Sequence, residues 1–255
     1  MNHEEPKITC FVCNWAFSEE ELPVGSMPKA ANVNVVRVMC IGRIDPVVVL
    51  ETFMRGVDGI VLIGCASPDC HFVEGNVHAE LTVNVLRKLL ALADLEPDRL
   101  ELRLISPIEE ARFTKIITDF TRQLKKLGSS PLAREKCDVK ILENALAAKN
   151  AVAGFRLRAL TGKEKELTTS VNVYGKRASQ EEFDSLLDET VKTEFTRHKI
   201  LLLAKEKPFS VKELAKILNM KPFFVLRHVL NMRRRGMIAL DSIEGTTPLY
   251  KAVEA

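Results

Sequence analysis

The sequence predicts an α/β chain: an open, mostly parallel sheet, then a helical connector, then a small winged-helix domain. Three observations predict it. Short apolar runs alternate with amphipathic stretches through the first 130 residues, the order that yields a parallel sheet covered by helices. One of those runs, Gly59-Ile-Val-Leu-Ile-Gly-Cys65, is apolar throughout, as a strand buried on both faces must be. From 191 onward the pattern reads helix, helix–turn–helix, hairpin, which is a winged-helix order. The divisions fall at 1–130, 131–190 and 191–255.

Each element has its own warrant. Lys7-Ile-Thr-Cys-Phe-Val-Cys13 is the first strand, Val33 to Cys40 the second, Gly59 to Cys65 the third, and Leu100 to Ile105 the fourth. Asp45-Pro46 opens a helix that continues through Val49, Leu50 and Phe53, with proline in the first turn. A second helix runs from about Glu74 to Leu92, with Leu81, Val85, Leu89 and Leu92 on one face. A third spans Glu109 to Leu127 and stops at Gly128-Ser-Ser-Pro131. In the connector, Ile141 to Leu160 reads as one helix broken at Thr161-Gly162, and Val171 to Gly175 as an extended turn. Ser179 with Glu182, and Ser210 with Glu213, have capping-box spacing. Phe223 to Arg235 forms the second helix of the last segment. Met237 to Leu240 and Glu244 to Tyr250 form a two-stranded wing.

Composition narrows the class. Hydrophobic residues are 46% and charged residues 28%, ordinary for a globular protein. No apolar run approaches the roughly 18 residues needed to span a bilayer, and the start lacks the basic and apolar regions of a signal peptide. The expectation is a cytoplasmic protein with no membrane insertion, in a compartment that keeps thiols reduced. The net charge of +3 is unevenly spread: from Lys192 onward there are thirteen Lys/Arg against six Asp/Glu, and before it 24 against 28. No Gly-x-Gly-x-x-Gly follows the first strand, and no Ser–His–Asp set is evident, so no catalytic residue is assigned.

Six cysteines carry the chemistry. Cys13, Cys40 and Cys65 each end a predicted strand, and Cys70 follows in the next loop. The carboxyl ends of parallel strands face one crevice, where open α/β sheets place their ligands. Thiols far apart in sequence therefore converge there. Four thiolates can hold a 2Fe–2S or 4Fe–4S cluster or a structural zinc. Cysteine is also a common core residue, and a single one ending a strand is ordinarily just that. Cys10, in mid-strand, and Cys137, alone in the connector, read as structural.

The run Cys13-Asn-Trp15, then Arg37-Val-Met-Cys-Ile-Gly-Arg-Ile-Asp-Pro46, then Gly64-Cys-Ala-Ser-Pro-Asp-Cys-His71 with Gly75-Asn76 and Ala79-Glu80, resembles the delta subunit of methyl-viologen-reducing hydrogenase. The resemblance covers about residues 7–127. It implies one 2Fe–2S cluster on Cys13, Cys40, Cys65 and Cys70. It implies an electron-transfer subunit, not itself catalytic, in a cytoplasmic complex. The partners would be a heterodisulfide-reductase-A-like flavoprotein and a hydrogenase, formate dehydrogenase or other oxidoreductase module. Two positions depart from the family pattern. Ala16 stands where Cys-Asn-Trp-Cys ends, and Ala66 where histidine is frequent. Cys10 is then a candidate substitute ligand, and His71 another if the site were Rieske-like.

Neighbouring residues have two readings each. Asp45 is placed as a helix N-cap. Arg43 either donates hydrogen bonds near the sulfurs or makes a surface ion pair. Trp15 either shields the cluster, fills an interface or simply packs. In the tail, Arg227, His228 and Arg233–Arg235 invite nucleic-acid binding through the winged helix. The helix bearing them is rich in Phe, Val, Leu and Met and poor in base-reading side chains, which favours docking or dimerisation instead. The alternative to the relay is a metal- or cluster-sensing winged-helix transcription regulator. A scaffold holding zinc, or no metal, is a third reading.

Overall fold

A computed structural model describes residues 5–17, 32–106, 113–133 and 137–253. Strand β1 (Lys7–Cys13) buries every residue but Lys7 and lies in the middle of a parallel sheet of order β2-β1-β3-β4. Its neighbours are β2 (Asn32–Val38) at one edge and β3 (Gly59–Cys65) on the other side, with β4 (Leu100–Ile105) beyond. The all-apolar β3 is buried along its whole length, whereas β2 alternates exposed and half-buried positions, as an edge strand does. β2 ends two residues before Cys40. Its ladder stops where β1 stops, with Cys13 opposite Val38, and the chain then turns through a 3-10 segment, Ile41–Arg43.

Helices cover both faces. Helix α1 (Pro46–Met54) and α2 (Gly75–Leu92) bury Val49, Leu50, Phe53, Leu86 and Leu89 in one cluster with Phe11, Ile60 and Leu62. Asp45 caps α1 through its carboxylate, which accepts the Val47 N–H at 2.9 Å. Helix α3 (Phe113–Leu127) packs on the opposite face. Its Phe113, Ile117, Phe120 and Leu124 meet Ile8, Cys10, Val12, Val61 and Ile63. The expected first turn of this helix, from Glu109, lies outside the described residues.

The connector departs from the single helix expected over 141–160. Helix α4 (Val139–Ala153) stops at Gly154, whose ψ of 145° leaves the helical region. α5 (Phe155–Gly162) then starts anew and runs through the Thr161-Gly162 pair expected to break it. A short α6 (Glu164–Thr169) follows. Buried Ala145, Ala147, Ala148 and Ala151 let α4 approach closely, so it shares one core with α1 and α2.

Helix α7 (Gln180–Glu206) opens on the Ser179–Glu182 capping box and spans 27 residues, about 40 Å. Phe183, Leu187, Val191 and Phe195 belong to the core of the first elements, while Ile200 and Ala204 enter a separate C-terminal core. That core is built by β5 (Phe209–Ser210), α8 (Val211–Ile217), α9 (Pro222–Arg234), β6 (Ile238–Glu244) and β7 (Thr247–Ala252). The expected hairpin is present. It gains a third strand because Phe209 and Ser210 pair with Tyr250 and Leu249. Among the described residues no helix is long and apolar enough to cross a membrane.

Candidate functional site

The sheet order fixes where the thiols meet. The chain runs from β1 outward to β2, then crosses back to β3 on the other side of β1. The carboxyl ends of β1 and β3 therefore flank the topological switch point, where open α/β sheets bind ligands. Cys13 ends β1 and Cys65 ends β3, and their sulfurs stand 3.9 Å apart. Two thiolates bound to one metal at about 2.3 Å would be separated by roughly 3.8 Å. Cys70 joins Cys13 and Cys65 in the same buried cluster, floored by Ile41 and Ala79.

Cys40 reaches the site from beyond β2. It and Cys70 face the first residue of α2: a Cβ on Gly75 would lie 2.5 Å from the Cys40 Sγ and 3.4 Å from the Cys70 Sγ. A Cβ on Gly42 would likewise stand 2.2 Å from the Gly75 carbonyl oxygen. Only glycine at both positions allows the turn after Cys40 to press against the start of α2. The partial positive charge of that 18-residue helix is consequently aimed at two sulfurs, a setting that favours thiolate.

All four thiols are 8% exposed or less. Burial pushes the Cys65 thiol up to about 11, with Cys13 adding to the effect, while the His71 backbone N–H pulls the other way. Burial raises Cys40 too, opposed by the backbone N–H groups of Gly42 and Arg43 that point at its sulfur. Unassisted, such thiols stay protonated; a cation that takes up the sulfurs displaces the protons. Backbone N–H donors aimed at sulfur also raise the reduction potential of a bound cluster.

The remaining candidates lie outside the thiol quartet. Cys10 lies three residues before Cys13 on the same strand, so it projects to the opposite face and packs in the core under α3. It cannot replace a ligand at this site, and burial holds its thiol far above the ordinary range. Cys137 packs on the edge of the main core. Ala16, where the family pattern has cysteine, is half-buried against the thiol cluster. The His71 ring stacks on Trp15 with centroids 3.5 Å apart, and its contribution to the site is the backbone N–H. Arg43 likewise contributes its N–H, and the residue lines an open cavity of about 320 Å³ between the 3-10 turn, α2 and α5.

Sequence reasoning missed two ion pairs that clamp the connector to the site's flank. Arg158 of α5 donates to both carboxylate oxygens of Asp45, at 2.9 and 2.8 Å. Burial alone would raise the Asp45 carboxyl; Arg158 and the Val47 N–H hold it low. Lys165 of α6 pairs with Glu74, the residue just before Gly75. No spacing in the sequence signals either pair, since each joins residues about 90 or more positions apart. Among the described residues no group of three or more His, Cys, Asp or Glu side chains is arranged to grip a metal ion. The quartet is one close pair at the switch point and one pair across Gly75.

The delta subunit of methyl-viologen-reducing hydrogenase is the family whose profile matches this chain, over residues 8–128. The iron-sulfur delta-type protein of the F420-non-reducing hydrogenase of Archaeoglobus profundus is 38% identical over 126 residues, which is 49% of this chain and 92% of that protein. The chain belongs to this delta-subunit family. A second member, the vhc iron-sulfur protein of the F420-non-reducing hydrogenase of Methanococcus voltae, is 34% identical over 130 residues, 90% of its length. The family segment also occurs inside a longer polypeptide. The ferredoxin:CoB-CoM heterodisulfide reductase A protein of Methanosarcina mazei is 35% identical over 134 residues, but this match is 51% of the present chain and 17% of that one. The hydrogenase relatives are thus matched nearly whole by about half of this chain, and α4 to β7 lie outside the family segment.

Proposed function

We propose that the chain is a cytoplasmic electron-relay subunit holding one 2Fe–2S cluster on Cys13, Cys40, Cys65 and Cys70. The observation that carries the reading is the gathering of four buried thiols at the switch point of a parallel sheet, in a member of a family whose relatives are named iron-sulfur subunits. The pairwise arrangement supports two irons over one zinc. A mononuclear tetrahedral site needs all four sulfurs mutually close, whereas a two-iron cluster needs two close pairs. Cys13 and Cys65 would serve one iron, Cys40 and Cys70 the other.

A bound cluster would supply reversible one-electron storage. The chain's own residues set its conditions. Ile41 and Ala79 keep water from beneath the sulfurs. The Gly42, Arg43 and His71 N–H groups and the α2 N-terminus offset negative charge there. No residue of the site needs to act as acid, base or nucleophile. The partners in this reading are a heterodisulfide-reductase-A-like flavoprotein and a hydrogenase, formate dehydrogenase or other oxidoreductase module. The relatives support it: one set is named as hydrogenase subunits, and another carries the segment within the heterodisulfide reductase A protein itself.

In the same reading the chain divides into an iron–sulfur domain (1–130), a connector (131–190) and a winged-helix domain (191–255). Exposed Phe223, Phe224, Leu226 and Leu230 on α9 favour protein docking over base reading. Anaerobic mixing of the reduced chain with the heterodisulfide-reductase-A-like flavoprotein tests the relay. Flavin reduction at a rate proportional to partner concentration is the expected result. Oxidised flavin after complete mixing, together with salt-dependent, sequence-specific DNA binding, would establish the regulator instead.

A further inference from the structure

The mouth of the thiol site is apolar and exposed. Trp15, Met39, Phe72, Val73 and Val77 are between 44% and 78% exposed. Each lies within two residues of Cys13, Cys40, Cys70 or Gly75. Contacts tie this surface to the site: the Trp15 ring stacks on His71, whose ring meets Phe72 edge-on at 4.9 Å, and the Met39 carbonyl accepts the Cys13 thiol. None of these six residues carries a carboxylate, ammonium or guanidinium. A folded chain gains nothing by presenting such a patch to water, and patches of this kind mark interaction sites.

The backbone adds a second observation. Val73 has a φ of 64°, in the left-handed region where a β-branched residue is strained. Its side chain is the most exposed of the patch, at 78%. Packing within this chain therefore does not compensate the strain; strain held at a surface loop points to a functional contact.

We propose that this rim is the docking face for the heterodisulfide-reductase-A-like flavoprotein. The inference rests on the relay reading for the identity of the partner. Two facts select that occupant. The Methanosarcina relatives carry the family segment within the heterodisulfide reductase A protein, so the surface that meets the rest of that protein belongs to this segment, which contains the rim and excludes α9. The rim also lacks fixed charge, and so accepts only an uncharged face: a carboxylate or ammonium buried against it would be desolvated with no counter-charge. Aromatic residues and methionine are the types enriched at the centres of protein interfaces. Docking here places the partner over the thiols, on the side that no described strand or helix covers.

The test is binding of the heterodisulfide-reductase-A-like flavoprotein encoded in the same genome to the full-length chain, measured by biolayer interferometry under anaerobic conditions. The variants are Met39→Glu/Val73→Glu on the rim and Phe223→Glu/Leu230→Glu on α9, all at exposed positions. A rim variant that binds at least about tenfold more weakly, with wild-type circular dichroism and iron content and with the α9 variant unchanged, supports the proposal. Val73→Gly adds an independent signature: weaker binding together with a higher Tm, because glycine relieves the strain. Wild-type binding by the rim variant, loss of binding only in the α9 variant, or no binding by the wild type would each overturn it. The readout needs no electrons. Rim-dependent binding by a chain that holds no iron would leave the docking face standing and remove the relay.

Discussion

Gly75 concentrates the chemistry of single residues. Its missing side chain is the space in which the Cys40 and Cys70 sulfurs sit beside the α2 N-terminus. Gly75→Ala should therefore reduce iron bound per chain severalfold while leaving the helical circular dichroism unchanged. Cys10→Ala should do the reverse, keeping iron at the wild-type level and costing about 1 kcal/mol in urea unfolding for the lost buried atom. Loss of iron in Cys10→Ala would mean that the strand parity is wrong. The cysteines were legible in the sequence because each ends a strand or follows one, and strand ends are set by local apolar runs. Gly42 and Gly75 were not, since they meet through backbone atoms 33 positions apart. The roles of Arg43 and His71 were hidden for a related reason: both act through main-chain N–H groups, which no side-chain identity advertises.

Among elements, the most tightly specified joint is at the amino end of the sheet. Asp58, buried just before β3, accepts the Lys7 N–H at 2.8 Å, the Ser130 N–H at 2.7 Å and the Ser129 hydroxyl at 3.2 Å. Arg99, 1% exposed, donates to the Asp58 and Gly128 carbonyls and to Glu96. Truncating Asp58 to alanine strands two backbone donors, one of them fully buried. The expected loss is about 3 kcal/mol in urea unfolding; a change under about 0.5 kcal/mol would show that water replaces the carboxylate. The four sheet strands, both capping boxes and the C-terminal hairpin followed from local pattern. The break at Gly154 and the strand at Phe209–Ser210 did not. Gly154 packs near His198 of α7, and β5 exists only because β7 lies beside it. Both are tertiary outcomes that periodicity along the chain does not encode.

Across the whole molecule, α7 links the core that backs the thiol site to the C-terminal elements, and its junction is polar. Glu194 accepts from Arg197 at 2.7 Å and from Arg156 at 3.3 Å, with His198 and His228 alongside. Burial pushes both imidazoles below the ordinary 6.5; Lys205 adds to this at His198, Arg197 and Arg227 at His228, and Glu194 opposes it at both. The unfolded chain then takes up protons more readily than the folded one. Stability from these groups is complete above pH 6.5 and is lost as the pH falls through the lower folded values. Tm should drop by a few degrees between about pH 7.5 and 5.5, and His198→Gln/His228→Gln should flatten that slope. Parallel slopes would place the titration elsewhere. The central claim, that four thiols at the switch point hold a two-iron cluster, is tested most directly on anaerobically purified protein. The measurement is iron, zinc and sulfide content with EPR of the reduced state, for wild type and Cys65→Ser. About two irons and two sulfides per chain, with a reducible chromophore lost in the variant, is the predicted result. Zinc, or well-folded protein free of metal, would contradict it.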